Sequence, residues 1–294
     1  MRNLCLTVAY DGTEFHGWQR QGSLRTVQNV LEQTAKEVLG HTIQIRGSGR
    51  TDAGVHALGQ VATFRTAATY DTPTICRALN ARLPFDVVVK GVYECPDTFD
   101  ANISASKKRY RYLLSDFPER NPFLDRYTYH CKCRLDVDRM HQASQHLRGR
   151  HDFHSFETNW PNRLSSIRTI FHIAVERIPV PSLWQGSLFS DDAFVLQEVV
   201  HHPDDDPEEE IGKTRTNTAC RGESDNPSLI CLEVEADGFL YKMVRAIVGT
   251  LIQVGRGFWP EEKVAEILAA QDRAAAGPNV SPKGLFLVHV SYEP

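Results

Sequence analysis

Residues 2–40 read RNLCLTVAYDGTEFHGWQRQGSLRTVQNVLEQTAKEVLG. Leu4, Leu6, Val8 and Tyr10 alternate with polar or small residues, the period of a strand with one buried face. A loop is predicted from Asp11 to Arg25. Val27, Val30, Leu31, Ala35, Val38 and Leu39 then recur at helical spacing, with Thr26 placed to cap the start and Gly40 to end the helix. A half-buried strand followed by an amphipathic helix excludes an all-β or all-α chain.

The same rhythm continues outward. Strands are expected at Thr42–Arg46 and Gln60–Thr66 around a Gly-rich loop, then at Val87–Glu94 and Arg109–Ser115. Helices are predicted over Asp138–Leu147, Phe239 to about Val254, and Pro260–Ala270. Further strands fall near Arg168–Arg177, Leu229–Ala236 and Leu285–Tyr292. The pattern is an α+β fold of two sheet-plus-helix halves, 1–115 and 116–294, facing each other across a central cleft. Residues 179–228 combine Pro, Ser, Gly and a block of like charge, and are expected to form a mobile insertion between two strands.

The 294 residues are 41% apolar and 24% charged, enough to build a core without disulfide or metal staples. Nineteen Gly and 15 Pro exclude collagen, coiled coil and a wholly disordered chain. No apolar run approaches a membrane span, and Asp11 comes too soon for a signal peptide. Seven irregularly spaced Cys suit a reducing compartment, so a cytoplasmic location is expected. Net charge is −4, but residues 179–228 hold 11 acidic and three basic side chains, leaving 30 basic against 26 acidic elsewhere. Such a body remains compatible with nucleic acid, because phosphate binding depends on local cation clusters.

The chemistry concentrates in Gly47-Ser48-Gly49-Arg50-Thr51-Asp52-Ala53-Gly54-Val55-His56-Ala57. Its glycines permit close backbone approach, yet the spacing matches neither the dinucleotide fingerprint nor the P-loop, so no nucleotide cofactor is expected. Asp52 is a candidate nucleophile or general base, because carboxylates form covalent intermediates and a nearby guanidinium favours the ionised form. A turn-stabilising ion pair between Arg50 and Asp52 is the competing interpretation of the same residues.

This loop, together with Tyr10-Asp11-Gly12-Thr13, Phe15-His16-Gly17-Trp18-Gln19-Arg20-Gln21, Thr26-Val27-Gln28, Leu79-Asn80-Ala81-Arg82-Leu83-Pro84, Lys108-Arg109-Tyr110-Arg111-Tyr112, His151-Asp152-Phe153-His154-Ser155-Phe156, Arg168-Thr169-Ile170, Met243-Val244-Arg245-Ala246-Ile247-Val248-Gly249 and Gly284-Leu285-Phe286-Leu287, resembles the TruA family of tRNA pseudouridine synthases. The matching blocks come in order and span the chain apart from the acidic insertion. The resemblance implies the pseudouridine synthase fold, a mainly antiparallel mixed sheet with two ferredoxin-like halves. It implies that uridines 38, 39 and 40 of the tRNA anticodon arm are isomerised to pseudouridine, without cofactor or metal, by a homodimer.

Residue by residue, the resemblance gives Asp52 the role of catalytic aspartate and Arg245 that of its basic partner. It makes Tyr110 the aromatic that stacks on the target base and Arg50 the side chain that moves the nucleotide out of the stack. Leu285 or Leu287 is expected to form an apolar wall. A base taken from a stem costs a few kcal/mol to extrude, and aromatic stacking returns about 1–3 kcal/mol of it.

Arg20, Lys108, Arg109, Arg111 and Arg168 are candidate RNA contacts, with Arg25, Arg82 and Lys107 in reserve. On a strand, Lys108, Tyr110 and Tyr112 share one face and Arg109 and Arg111 the other. Asp100 and Asn102 stand where the family usually has His and Arg, removing two cations. Cys131-x-Cys133 is tighter than usual zinc spacing and has no second pair, so both thiols are expected to point the same way into packing. The rival to an enzyme is a non-catalytic tRNA binder using the same cleft; a synthase acting on another RNA is a further alternative.

Overall fold

The opening alternation becomes β1 (Arg2–Tyr10), with Leu4, Leu6, Val8 and Tyr10 turned into the core. α1 (Val27–Leu39) begins where the extended Thr26 side chain accepts a hydrogen bond from the Asn29 N–H. It ends at Gly40, whose φ of 76° lets the cap N–H bond back to the Lys36 carbonyl. The structure is a computed structural model and describes residues 1–158, 165–180 and 228–292. Apart from residues 179, 180 and 228, the acidic insertion lies outside the described residues.

The remaining elements are β2 (Arg46–Gly47), β3 (His56–Thr66), α2 (Thr72–Asn80), β4 (Val87–Cys95), β5 (Lys107–Ser115), β6 (Tyr129–His130), α3 (Val137–Gln145), β7 (Gly149–Asp152), β8 (Ile167–Pro179), β9 (Ser228–Ala236), α4 (Met243–Gly255), α5 (Lys263–Ala270) and β10 (Leu285–Ser291). Among the described residues they form one ten-stranded sheet in the order β4-β1-β3-β10-β5-β9-β8-β7, with β2 on β3 and β6 on β5. β10 runs parallel to β3, and β6 to β5. The pairs β1·β3, β1·β4, β2·β3, β10·β5, β5·β9 and β7·β8 are antiparallel. This is the mixed, mainly antiparallel α+β architecture expected.

Two apolar clusters line the sheet. Leu4, Leu6, Leu31, Phe64, Ile75 and Leu79 belong to one; Leu114, Met140, Phe153, Ile230, Ile247 and Leu251 belong to the other. Burying each such side chain contributes about 1.5–3 kcal/mol. β10 joins them: Leu285 packs in the second cluster and Leu287 in the first.

Several elements depart from the sequence expectation for identifiable reasons. Thr42–Ile45 forms no strand, although Ile43 and Ile45 are both buried. The Ile45 N–H donates to Glu32 Oε1 and its carbonyl accepts from Gln28 Nε2, each at 3.0 Å, so side chains of α1 occupy the groups a ladder requires. α2 was not anticipated; it is one short amphipathic run, capped by Asp71 and burying only Ile75 and Leu79. α4 starts at Met243 rather than Phe239 because Lys242 adopts φ 61°, outside the helical range. α5 starts at Lys263 rather than Pro260. Cys131 lies just past β6 and is buried, whereas Cys133 is exposed, so the two thiols do not share an environment.

Gly249 marks a close approach between α4 and the segment leading into β10. A Cβ there would sit 1.8 Å from the Pro278 carbonyl oxygen. The Gly277 N–H also donates to Thr250 Oγ1 at 2.9 Å. Gly249→Ala should therefore force the backbones apart, costing about 3 kcal/mol and lowering Tm by about 6 °C or more. An unchanged melting curve would contradict this packing.

Candidate active site

The Gly-rich loop between β2 and β3 is held from beneath by the loop that follows β1. Gly47 lies against the Trp18 indole, where a Cβ would approach to 2.5 Å. Trp18 donates its backbone N–H to the Thr51 carbonyl at 3.1 Å, and Gly54 donates to the Phe15 carbonyl at 3.1 Å. Tyr10 Oη and Thr51 Oγ1 share a buried hydrogen bond of 2.8 Å. Burial pushes the Tyr10 phenol up to about 12, against the hydrogen bonds to Thr51 and Gln60. The loop reverses at Asp52, whose carbonyl accepts from the Val55 N–H at 3.2 Å. The Asp52 side chain is thus presented on a braced turn.

Arg245 projects from the first turn of α4. Its Nε donates to the Val280 carbonyl at 2.7 Å and its Nη1 to Asp52 Oδ2 at 3.1 Å. The side chains of Arg245 and Asp52 are 13% and 25% exposed, so the pair is sheltered yet open on one side. Asp52 Oδ1 has no hydrogen-bond donor among the described residues. The pairing of Asp52 with Arg50 does not form: Arg50 is exposed and makes no ion pair among the described residues.

Asp52 and Arg245 line a cavity of about 900 Å³, together with Arg50, Lys108, Tyr110 and Leu285. That volume suits a nucleotide-sized ligand. Tyr110 meets the Phe239 ring edge-on, with centroids 5.0 Å apart and an interplanar angle of 80°. Burial first, then the neighbouring Tyr10 and Asp52, push the Tyr110 phenol up, keeping it protonated at neutral pH. Lys108 donates from Nζ to the Ser48 carbonyl at 2.7 Å.

The other sequence candidates lie elsewhere. Leu287 belongs to the apolar cluster around β1 and does not line the cavity. On the opposite face of β5, Arg109 pairs with Glu235 at 2.8 Å, and Arg111 pairs with Glu233. Arg20 lies 3.4 Å from Glu32, while its neighbours Gln19 and Gln21 line the cavity. Arg168 turns back on the carbonyls of Ser165 and Ile167. Arg25 grips Asp86 through two hydrogen bonds of 2.8 and 2.9 Å.

Sequence alone assigns no role to several lining residues: His16, Phe239, Tyr241 and Lys242. The apolar spacing that predicts a helix from Phe239 conceals the αL residue Lys242, and Phe239–Lys242 line the cavity instead. Asp100 accepts from the Asn102 and Ile103 N–H groups at 2.9 and 3.1 Å and lies 3.6 Å from Arg46. Burial raises the Asp100 carboxyl, but these partners outweigh it and hold it below the usual carboxylate range. The change at position 100 is therefore absorbed locally, whereas Asn102 faces the cavity.

The braced carboxylate, its guanidinium partner and Tyr110 thus share the wall of one cavity. A family model described as tRNA pseudouridine synthase matches residues 6–102 and 143–293. The chain belongs to this family of tRNA-acting isomerases. It is 35% identical over 292 residues to tRNA pseudouridine synthase A of Thermoanaerobacter sp. strain X514, covering 99% of this chain and 100% of the relative. The protein of the same name from Brevibacillus brevis is 37% identical over 292 residues, with the same coverage. That of Cronobacter sakazakii is 34% identical over 289 residues, covering 98% of this chain and 89% of the relative. Among the described residues, no helix is long and apolar enough to cross a membrane.

Arg245 bridges Val280 and Asp52 with two different nitrogens, a geometry one ammonium does not reproduce. Arg245→Lys should lower the single-turnover rate about 30-fold while changing tRNA affinity less than about threefold. Equal losses in rate and affinity would show that Arg245 serves binding instead.

Proposed function

We propose that this chain converts uridine to pseudouridine at positions 38, 39 and 40 of the tRNA anticodon arm, with Asp52 as nucleophile. The observation that carries the reading is the 3.1 Å contact between Asp52 Oδ2 and Arg245 Nη1 in the wall of the cavity, which leaves Oδ1 without a donor among the described residues. The target nucleotide leaves its stack, at a cost of a few kcal/mol, and its base packs against Tyr110 with Leu285 as an apolar wall. Arg50 occupies the vacated space and contacts phosphate.

Asp52 attacks the nucleoside, and the bond from ribose C1′ to uracil N1 breaks. The freed uracil rotates and its C5 attacks C1′, breaking the bond that Asp52 had formed to C1′ and freeing the carboxylate. The C5 proton is lost and N1 ends protonated, so the product is an isomer of the substrate. Redox change and group donation are absent from this balance, which is why the reaction as written calls on neither cofactor nor metal. Arg245 keeps the carboxylate aimed throughout.

The two halves, 1–115 and 116–294, form the lips of the cleft, and the chain works in the cytoplasm as a homodimer whose subunits share one tRNA. A protein acting at three neighbouring positions reads RNA shape and phosphates more than base edges. Arg50, Lys108 and Lys242 in the cavity wall supply that positive charge.

Mapping pseudouridine on unmodified tRNA transcripts tests this reading. Wild-type protein should modify positions 38–40, and Asp52→Asn should abolish modification while retaining most of the affinity for tRNA. Wild-type turnover by Asp52→Asn would refute the nucleophile. Affinity should also fall linearly on a log–log plot against salt, with a slope of about 0.7–0.9 per phosphate contacted. A salt-independent affinity would refute phosphate-led docking.

A further inference from the structure

Beneath the Asp52 loop lies a buried polar side chain with no part in the reaction above. Gln60 sits within β3 and is completely buried, as is Ser48. Its Oε1 accepts from Ser48 Oγ at 2.6 Å and from the Val61 N–H at 3.1 Å. Its Nε2 donates to the Gly49 carbonyl at 3.0 Å. The Tyr10 hydroxyl, joined to Thr51 Oγ1 at 2.8 Å, braces the same loop from β1. One amide thus ties down both Ser48 and Gly49.

We propose that Gln60 is a positioning residue for the reaction: it fixes the backbone on which Asp52 is aimed at Arg245. This rests on the reading of Asp52 as nucleophile. A buried amide is costly unless both of its ends are satisfied, and here both are. The satisfied network converts a glycine-rich segment, which would otherwise sample many conformations, into a single one. The Ser48 N–H, donating to the Val61 carbonyl at 2.7 Å, adds a backbone clasp to the same point. From this loop Asp52 reaches Arg245 at 3.1 Å. No side chain of comparable shape replaces Gln60. Methionine matches its length but satisfies neither Ser48 nor Gly49, and glutamate offers no donor to the Gly49 carbonyl when ionised.

The test is single-turnover kinetics on tRNA with Gln60→Met and Ser48→Ala, in parallel with tRNA binding and thermal melting. Gln60→Met should lower the rate about 30-fold with tRNA Kd within about twofold of wild type, because a displacement of about 1 Å costs up to about 100-fold in rate. Ser48→Ala, which removes one bond and little volume, should lower the rate about threefold to tenfold and decides the matter if Gln60→Met does not fold. Reaction amplitude should stay at the wild-type level, since the folded fraction is unchanged; a merely structural role would reduce amplitude or Tm and leave the rate alone. A folded Gln60→Met with the wild-type rate, or a rate loss matched by an equal loss of affinity, overturns the proposal. Asp52→Asn in the same assay separates the two readings. If it turns over, the nucleophile and the role of Gln60 both fall; if it is inactive beside a fully active Gln60→Met, only the role of Gln60 falls.

Discussion

Asp52 and Arg245, 193 residues apart in sequence, meet at 3.1 Å, and the surrounding structure is arranged to make that meeting possible. Asp52 comes from the turn before β3, Arg245 from the first turn of α4, and β10 runs beside β3 between the two apolar clusters. Neither charge is fully withdrawn from water, so the pair contributes little to folding, about 1 kcal/mol or less. Its value is directional. The Val280 carbonyl accepts from Nε of the guanidinium, while Nη1 is aimed at a single carboxylate oxygen of Asp52. The close packing of Gly249 against Pro278 brings Val280 to that position.

Charge in the molecule is divided by place. On the outer face of β5, Arg109 and Arg111 meet glutamates of β9 in register, neutralising one another. Arg25 and Arg126 are likewise matched to Asp86 and Asp11. Around the cavity, by contrast, Arg50, Lys108, Lys242 and Arg245 gather about one carboxylate. A chain of net charge −4 therefore carries a locally positive cleft, the condition that phosphate binding imposes.

Much of this was legible in the sequence. Strict alternation gave β1, and the spacing from Val27 to Leu39 with Thr26 and Gly40 at its ends gave α1, because local propensity and burial agree there. Asp52, Tyr110, Arg245 and Leu285 all line one cavity, as family resemblance led us to expect of their positions. What escaped were features decided by tertiary partners. Ile43 and Ile45 alternate like a strand, yet Gln28 and Glu32 hold the backbone of Ile45. Phe239–Lys242 continue an apolar helical pattern, yet Lys242 leaves it to shape the cavity wall. Arg109 and Arg111 look like RNA contacts from charge alone, and only pairing with β9 shows their partners. Gln60 is one of several polar residues of β3, with His56, Thr63, Arg65 and Thr66, so nothing in the sequence sets it apart, and its role depends on bonds to Ser48 and Gly49 that only folding makes.

The most direct test of this account is a structure of the protein bound to tRNA carrying an unreactive analogue at a target position. The account places the ribose C1′ of that nucleotide about 3–3.5 Å from a carboxylate oxygen of Asp52, with Arg245 still paired to the other oxygen and the base against Tyr110. A nucleotide seated away from Asp52, or an Arg245 that has abandoned the carboxylate for phosphate, would contradict it.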